Sequence, residues 1–248
     1  MSPDEKSELF RVENPRDWVL EPSPHGPEAT LGLPDVPGGW HCRVFRSRAE
    51  EFRLTVPAEP DAFLDDPAVL EANRADDYMP YWGFLWPAAP PMVGAVLAAE
   101  WPAGATVLEI GCGIGLVGLA ALRRGLRVTL SDYDQTSVDL ARHNARQNGY
   151  EADGLVLDWR RPTEQRFDVI LGSDVTYEVR NHGPILDVIG TMLNPGGVAW
   201  IGDAGRQISA GFLPMAQERG FEVGLFDASG RTLPRLNVGE FQLFVLRR

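Results

Sequence analysis

Cysteine is scarce in this chain of 248 residues: Cys42 and Cys112 stand seventy positions apart with no CxxC pairing, which argues against a zinc site or a disulfide framework and suits a reducing cytoplasm. Histidine is equally sparse, and His25, His41, His143 and His182 share no metal-ligand spacing. Basic residues are outnumbered, 23 against 35 acidic ones for a net charge of −12, so a broad basic face for nucleic acid is disfavoured and a cationic partner favoured. No stretch approaches the ~18 apolar residues of a membrane span. The opening MSPDEKSELF has neither a basic start nor an apolar run, so no export or insertion signal is expected. Internal repeats and low-complexity tracts are also missing. What remains, 44% hydrophobic and 23% charged, is ordinary globular composition with room for one large domain or one domain with an N-terminal extension.

Seven of the twenty prolines fall in the first forty residues, and Asn14 to Trp40 also carries His25, Gly26, Gly32, Gly38 and Gly39, a composition that predicts an irregular arm. Alternation in CRVFRS and EFRLTV predicts a two-stranded hairpin from His41 to Val56, followed by a short acidic helix over Asp61 to Asn73. From Pro90 onward short β-branched runs alternate with helical stretches, the signature of βαβ units and a parallel sheet. Strands are predicted at Thr106 to Ile110, Arg127 to Leu130, Gly154 to Leu157, Phe167 to Leu171, Val198 to Ile201, Phe221 to Leu225 and Glu240 to Leu246. Helices fall at about Met92 to Glu100, Leu116 to Arg124, Gln135 to Asn148, Pro184 to Leu193 and Ile208 to Arg219, with Gly125, Gly149 and Gly220 placed as C-caps. The chain thus divides into an extension, 1–78, and a main domain, 79–248.

The stretch VLEIGCGIG (107–115) runs from a strand into a helix, so Gly111, Gly113 and Gly115 lie where a ligand can approach the backbone. Its GxGxG spacing departs from the dinucleotide fingerprint, which would put a third glycine at Leu116. Glu109 at the strand end would repel a pyrophosphate and attract an ammonium or sulfonium group, implying a cationic amino-acid cofactor; a tight turn beside a solvated glutamate is the plainer reading. Asp132 closes the second strand where a carboxylate can accept both ribose hydroxyls, a device that NAD would share, or where it can cap a helix, although Asp134 and Thr136 are better placed for that task. Asp158-Trp159 follows the third strand, where an acid can accept an exocyclic amine and an indole can cover a ring, or simply fill the core.

EIGCGIG, the SDYD after the second strand, the LDW after the third and the strand order together resemble the seven-β-strand S-adenosylmethionine-dependent methyltransferases, over about Pro80 to Arg248. The resemblance implies a doubly wound, mostly parallel seven-stranded Rossmann-like sheet with an antiparallel last strand. It also implies methionine binding at Glu109, Gly111, Gly113 and Gly115, ribose binding by Asp132, and adenine contact by Asp158 with Trp159. After the fourth strand, FDVILGSDVTY places Ser173, Asp174 and Tyr177 at a ligand-binding strand end. Val175 and Thr176 replace both prolines of the [ND]PP[YF] motif carried by many adenine and glutamine methyltransferases. Together with WGFLWP (82–87), the Asp-x-x-Tyr pattern looks like the nicotinamide N-methyltransferase-like branch that includes protein lysine methyltransferases. Within that branch the resemblance implies Trp86 against the cofactor's methionine end, Asp174 and Tyr177 as catalytic residues at the acceptor amine, and Trp82 as an aromatic wall.

Three functions are therefore open: a protein lysine methyltransferase, a small-molecule N-methyltransferase, and a nicotinamide-dependent oxidoreductase or non-catalytic cofactor-binding protein, against which Glu109 and GxGxG speak. The expected partner is a lysine-bearing protein surface, held by the arm and hairpin around residues 41–78 and steered by Asp61, Asp65, Asp66, Glu71, Asp76 and Asp77. An acidic run can equally be a solvated face. His182 is a minor candidate base.

Overall fold

A computed structural model describes residues 8–24, 32–47, 50–76 and 78–248; His25, Gly26 and Asp77 lie outside them. The arm is not wholly irregular. Its β1 (Trp18–Pro22) pairs antiparallel with β2 (Trp40–Ser47), which pairs with β3 (Glu50–Pro57), so the predicted hairpin is two-thirds of a three-stranded sheet. The strand was hidden because every residue of β1 is exposed and no alternation marks it. The acidic helix is broken in two, a 3-10 turn at Pro60–Asp65 and α1 (Pro67–Asp76). Pro67 cannot continue the turn, and the Asp66 carboxylate accepts the Ala68 N–H at 2.8 Å to start afresh.

The remaining elements are α2 (Ala89–Ala98), β4 (Thr106–Ile110), α3 (Leu116–Arg123), β5 (Arg127–Asp132), α4 (Gln135–Gln147), β6 (Asp153–Val156), β7 (Phe167–Ser173), α5 (Val179–Met192), β8 (Leu193–Asp203), α6 (Phe212–Glu218), β9 (Glu222–Asp227) and β10 (Gln242–Arg247). The seven strands of the main sheet order as β6-β5-β4-β7-β8-β10-β9, parallel except for β10, which runs antiparallel to both neighbours. This is the expected doubly wound sheet with its reversed last strand. Gly125, Gly149 and Gly220 end α3, α4 and α6 with φ of +78°, +80° and +82°. Helix α5 begins five residues before its predicted start because Pro184 sits inside it, and β8 extends beyond Val198 to Ile201 at both ends.

Alternation along each buried strand splits the core into two layers. Val107, Val128, Leu130, Val169 and Leu171 face α2, α3 and α4; Leu108, Ile110, Ile170, Ile201 and Phe244 face α5 and α6. The three-stranded sheet has no core of its own, since Phe45, Phe52 and Leu54 are buried in the first layer. An amide ladder on α4 fixes it there. Asn144 accepts the Thr55 N–H at 2.8 Å and donates to the Thr55 and Ile114 carbonyls, and Asn148 repeats the pattern on Arg53. Residues four apart on a helix thus read residues two apart on a strand, occupying the edge of β3 that would otherwise be open to pairing. Among the described residues no helix is long and apolar enough to cross a membrane.

Candidate active site

The strand order reverses between β4 and β7, and the loops leaving their carboxyl ends diverge to open a cleft, the usual ligand position in an open α/β sheet. A cavity of about 320 Å³ lies there. Its floor is the glycine loop, where Gly111, Gly113 and Gly115 take φ of +59°, +52° and +81°. They serve different ends. A Cβ on Gly111 would come 3.1 Å from the Trp159 ring, and one on Gly113 3.4 Å from the Trp82 carbonyl, so both let the cleft walls close on the backbone. Gly115 does not line the cavity; a Cβ there would stand 2.8 Å from that of Ala141, which makes it a helix-packing residue.

Of the residues expected at the site, the cavity gathers Trp82, Trp86, Gly111, Gly113, Asp132, Asp158, Trp159, Ser173, Asp174 and Tyr177. Glu109 is not among them. Its position in β4 shares the parity of Val107, so its side chain enters the α3 layer, where the carboxylate accepts the Gly118 N–H at 2.8 Å in space that only a glycine leaves. Burial pushes its pKa up to about 8, against the lowering effect of that N–H. It holds its proton at neutral pH and is no counter-charge for a ligand. Fully protonated in both states below 4.5, it costs stability as pH climbs from there toward about 8, where the unfolded chain sheds the proton and the folded one keeps it. Glu109→Gln is therefore expected to flatten that decline, read as the difference in urea midpoints between about pH 5 and pH 8.

Asp132 stands where the sequence put it. One oxygen accepts the Gly113 N–H at 3.0 Å and the other the Asp134 N–H at 3.2 Å, leaving further lone pairs toward the cleft. Burial raises its pKa, and those two N–H groups work against the rise. Asp134, rather than Asp132, caps α4 through Thr136. Asp158 lines the cavity, but both its oxygens receive the Arg160 guanidinium at 2.8 and 3.1 Å, which holds its pKa down, so a ligand amine must share it. Arg160 also pairs with Asp76, whose carboxylate accepts from Tyr133 as well and is held near 2. Asp76 is thereby a strap from α1 across the cleft mouth, while Asp61, Asp65 and Glu71 remain exposed. Trp159 keeps a buried Nε1 with no partner.

At the other end, Asp174 has a φ of +53°, the one positive value outside glycine among the described residues. Its side chain is 1% exposed and accepts the Ala88 N–H at 2.6 Å and the Arg206 guanidinium at 3.2 Å. Burial raises its pKa, opposed first by Ala88 and then by Arg206. The Tyr177 ring stands edge-on to Tyr81 at 5.5 Å, and burial pushes its phenol up to about 12. Trp86 donates to the Tyr81 carbonyl and Trp82 to Asp134, so both indoles are fixed; Trp82 is buried against Phe63 and Trp40, and Trp86 carries the Arg206 guanidinium over its ring. His182 is fully buried against the Thr176 carbonyl and Phe212 and does not reach the cleft, which removes it as a base. Sequence reasoning missed Tyr78, Tyr81, Arg160 and Arg206; the aromatic density of YMPYW (78–82) was a signal for the first two.

Six carboxylates line the cavity against two guanidiniums, a donor set suited to a ligand with ribose hydroxyls at one end and positive charge at the other. A sequence model of the family described as "Lysine methyltransferase" matches residues 92–217. Curated relatives include a ubiquinone biosynthesis O-methyltransferase of Agrobacterium fabrum, 29% identical over 109 residues, 43% of this chain and 44% of that protein. A ribosomal protein L11 methyltransferase of Photorhabdus laumondii is 34% identical over 97 residues, 38% of this chain and 32% of that protein. The chain thus spans less than half the length of the curated relatives it matches. Among solved structures, a TehB-like S-adenosylmethionine-dependent methyltransferase from Corynebacterium glutamicum superposes with a TM-score of 0.54 at 23% identity, over 77% of this chain and 99% of that one.

Proposed function

Because the chain belongs to the lysine methyltransferase family and its cofactor is S-adenosyl-L-methionine, we propose that it methylates the side-chain nitrogen of a lysine in a protein. The observation that carries this reading is the acceptor end of the cleft, where a buried carboxylate, Asp174, stands among Trp86, Tyr81 and Tyr177. A carboxylate attracts an ammonium, and aromatic faces add ~0.5–2 kcal/mol per good contact with cationic nitrogen.

S-adenosyl-L-methionine supplies, when bound, a methyl group activated by a positively charged sulfur. In this reading Gly111 and Gly113 bring the loop backbone close to it, Asp132 accepts its ribose hydroxyls, and Asp158, Trp159 and Ser173 complete its wall. Methyl transfer is an in-line displacement, so the demand on the chain is to present a neutral, aligned nitrogen. Asp174 receives the ammonium and, once that has lost its proton to water, accepts an N–H of the free amine; Tyr177, protonated throughout the physiological range, accepts a second N–H on its phenol oxygen, so that the lone pair stays free to attack the methyl group. Trp82 and Trp86 keep bulk water from the path.

Similarity to the ubiquinone biosynthesis O-methyltransferase favours a second reading, a small-molecule acceptor in the same seat. Radiolabelled methyl transfer into a whole-cell extract, split into protein and small-molecule fractions, separates the two. The label is expected in protein and, after hydrolysis, on methylated lysine; label confined to the small-molecule fraction would replace the first reading by the second.

A further inference from the structure

Arg206 reaches Asp174 from outside the cleft lining. Its Nε and Nη2 both lie 3.2 Å from Asp174 Oδ1, and its guanidinium carbon is 5.6 Å from the centre of the Trp86 ring. A cation held between one carboxylate and one indole face is the arrangement just assigned to the acceptor. The two donors on Asp174 differ in kind. The Ala88 N–H on Oδ2 is backbone at the head of α2 and cannot leave, whereas Arg206 reaches Oδ1 with a side chain that is 31% exposed. With Arg206 in place the Asp174 side chain is 1% exposed, and its Oδ1 is taken up by two guanidinium donors.

The base from which Arg206 extends is rigid. Its N–H and that of Gly205 both donate to Asp203 Oδ1 at 2.8 Å, and the fully buried Asp203 also accepts from Thr176, Ser209 and Gln242. Gly205 has a φ of +79°, and a Cβ there would meet the Glu240 carbonyl at 2.3 Å. A turn so fixed aims the side chain at one place while leaving its four χ angles free to swing.

We infer that Arg206 is a displaceable plug: its guanidinium occupies the acceptor's cation seat on Asp174 and Trp86, and an incoming ammonium on a flexible aliphatic stem replaces it. The inference rests on the acceptor-site reading above and deepens it, because a seat that accepts the long stem and charge of an arginine selects an acceptor of the same chemistry, a lysine side chain. It also makes the seat costly to leave empty, since an unpaired buried carboxylate is worse than a paired one.

The test uses Arg206→Met, which keeps an unbranched stem without the charge, and n-butylammonium as the probe. The variant is expected to melt below the wild type, and saturating n-butylammonium to raise its melting temperature by ~3 °C while moving the wild type by less than ~1 °C. In Asp174→Asn, Arg206→Met the rescue should vanish. In turnover, KM for a lysine-bearing acceptor should fall about tenfold in Arg206→Met, as expected if the open seat is populated about one-tenth of the time in the wild type. Equal shifts in variant and wild type, or a KM that rises, would overturn the plug and make Arg206 a fixed support of Asp174. Absence of methyl transfer to any lysine by the wild type would instead overturn the proposed function, because the thermal rescue is read without turnover.

Discussion

Replacing Asp174 by asparagine is expected to lower kcat/KM for the acceptor by ~100-fold while leaving the affinity for S-adenosylhomocysteine within about threefold. The asparagine is chosen for the backbone. Asp174 sits at a φ of +53° and accepts the Ala88 N–H that starts α2; asparagine tolerates the left-handed region and can still accept that bond, so the change removes the charge and, with the amide nitrogen now facing Arg206, the pairing to its guanidinium. Alanine would do three things at once: lose the charge, lose the cap and place a Cβ-bearing residue with no local hydrogen bond in a strained conformation, for a further ~1–3 kcal/mol of stability. Kinetics and calorimetry on the two variants separate these effects. An equal loss of cofactor affinity and rate in the asparagine variant would move Asp174 into the cofactor's shell and leave the acceptor seat to Tyr177 and the tryptophans.

The parts of this molecule that sequence made legible are those governed by local rules. Strand β4, the glycine loop and α3 were readable to within one residue because an apolar run, three glycines of left-handed backbone and a helix follow one another without interruption. Asp132 and Asp134 were separable because one ends a strand and the other precedes a helix by the spacing of a cap. What failed depended on direction or distance. Glu109 looked like a ligand contact because of its place at a strand end, yet the parity of β4 turns it toward α3, and the clue was Gly118 nine residues on. Asp158 looked free because its partner Arg160 is a surface residue whose other pairing, to Asp76, spans 84 positions. Arg206 lies 32 residues from Asp174 and meets it only because β7 and β8 are neighbours in the sheet.

Replacing Asp132 by alanine is expected to weaken S-adenosylhomocysteine binding from the micromolar range by ten- to a hundredfold, the loss of ~1.5–3 kcal/mol that follows deletion of a charge-assisted hydrogen-bond acceptor. Two contributions are folded into that number. The carboxylate holds the Gly113 N–H and so the shape of the loop, and it faces the cleft with lone pairs suited to ribose hydroxyls. A cycle with 2′-deoxy-S-adenosylhomocysteine separates them, since a ligand lacking one hydroxyl can lose only the loop contribution at that contact. If Asp132 binds the ribose, the variant should penalise the full ligand more than the deoxy one, and the two mutations, one in the protein and one in the ligand, should be less than additive. Full additivity would confine Asp132 to the loop. Because burial raises the carboxylate above its ordinary value despite the Gly113 and Asp134 N–H groups and the Ser137 hydroxyl, further hydroxyl donors arriving with the ligand should depress its pKa, so binding should grow tighter as pH rises through the value of the ligand-free protein and then level off. The alanine variant has no such group, and its affinity should lack that rise over the same range.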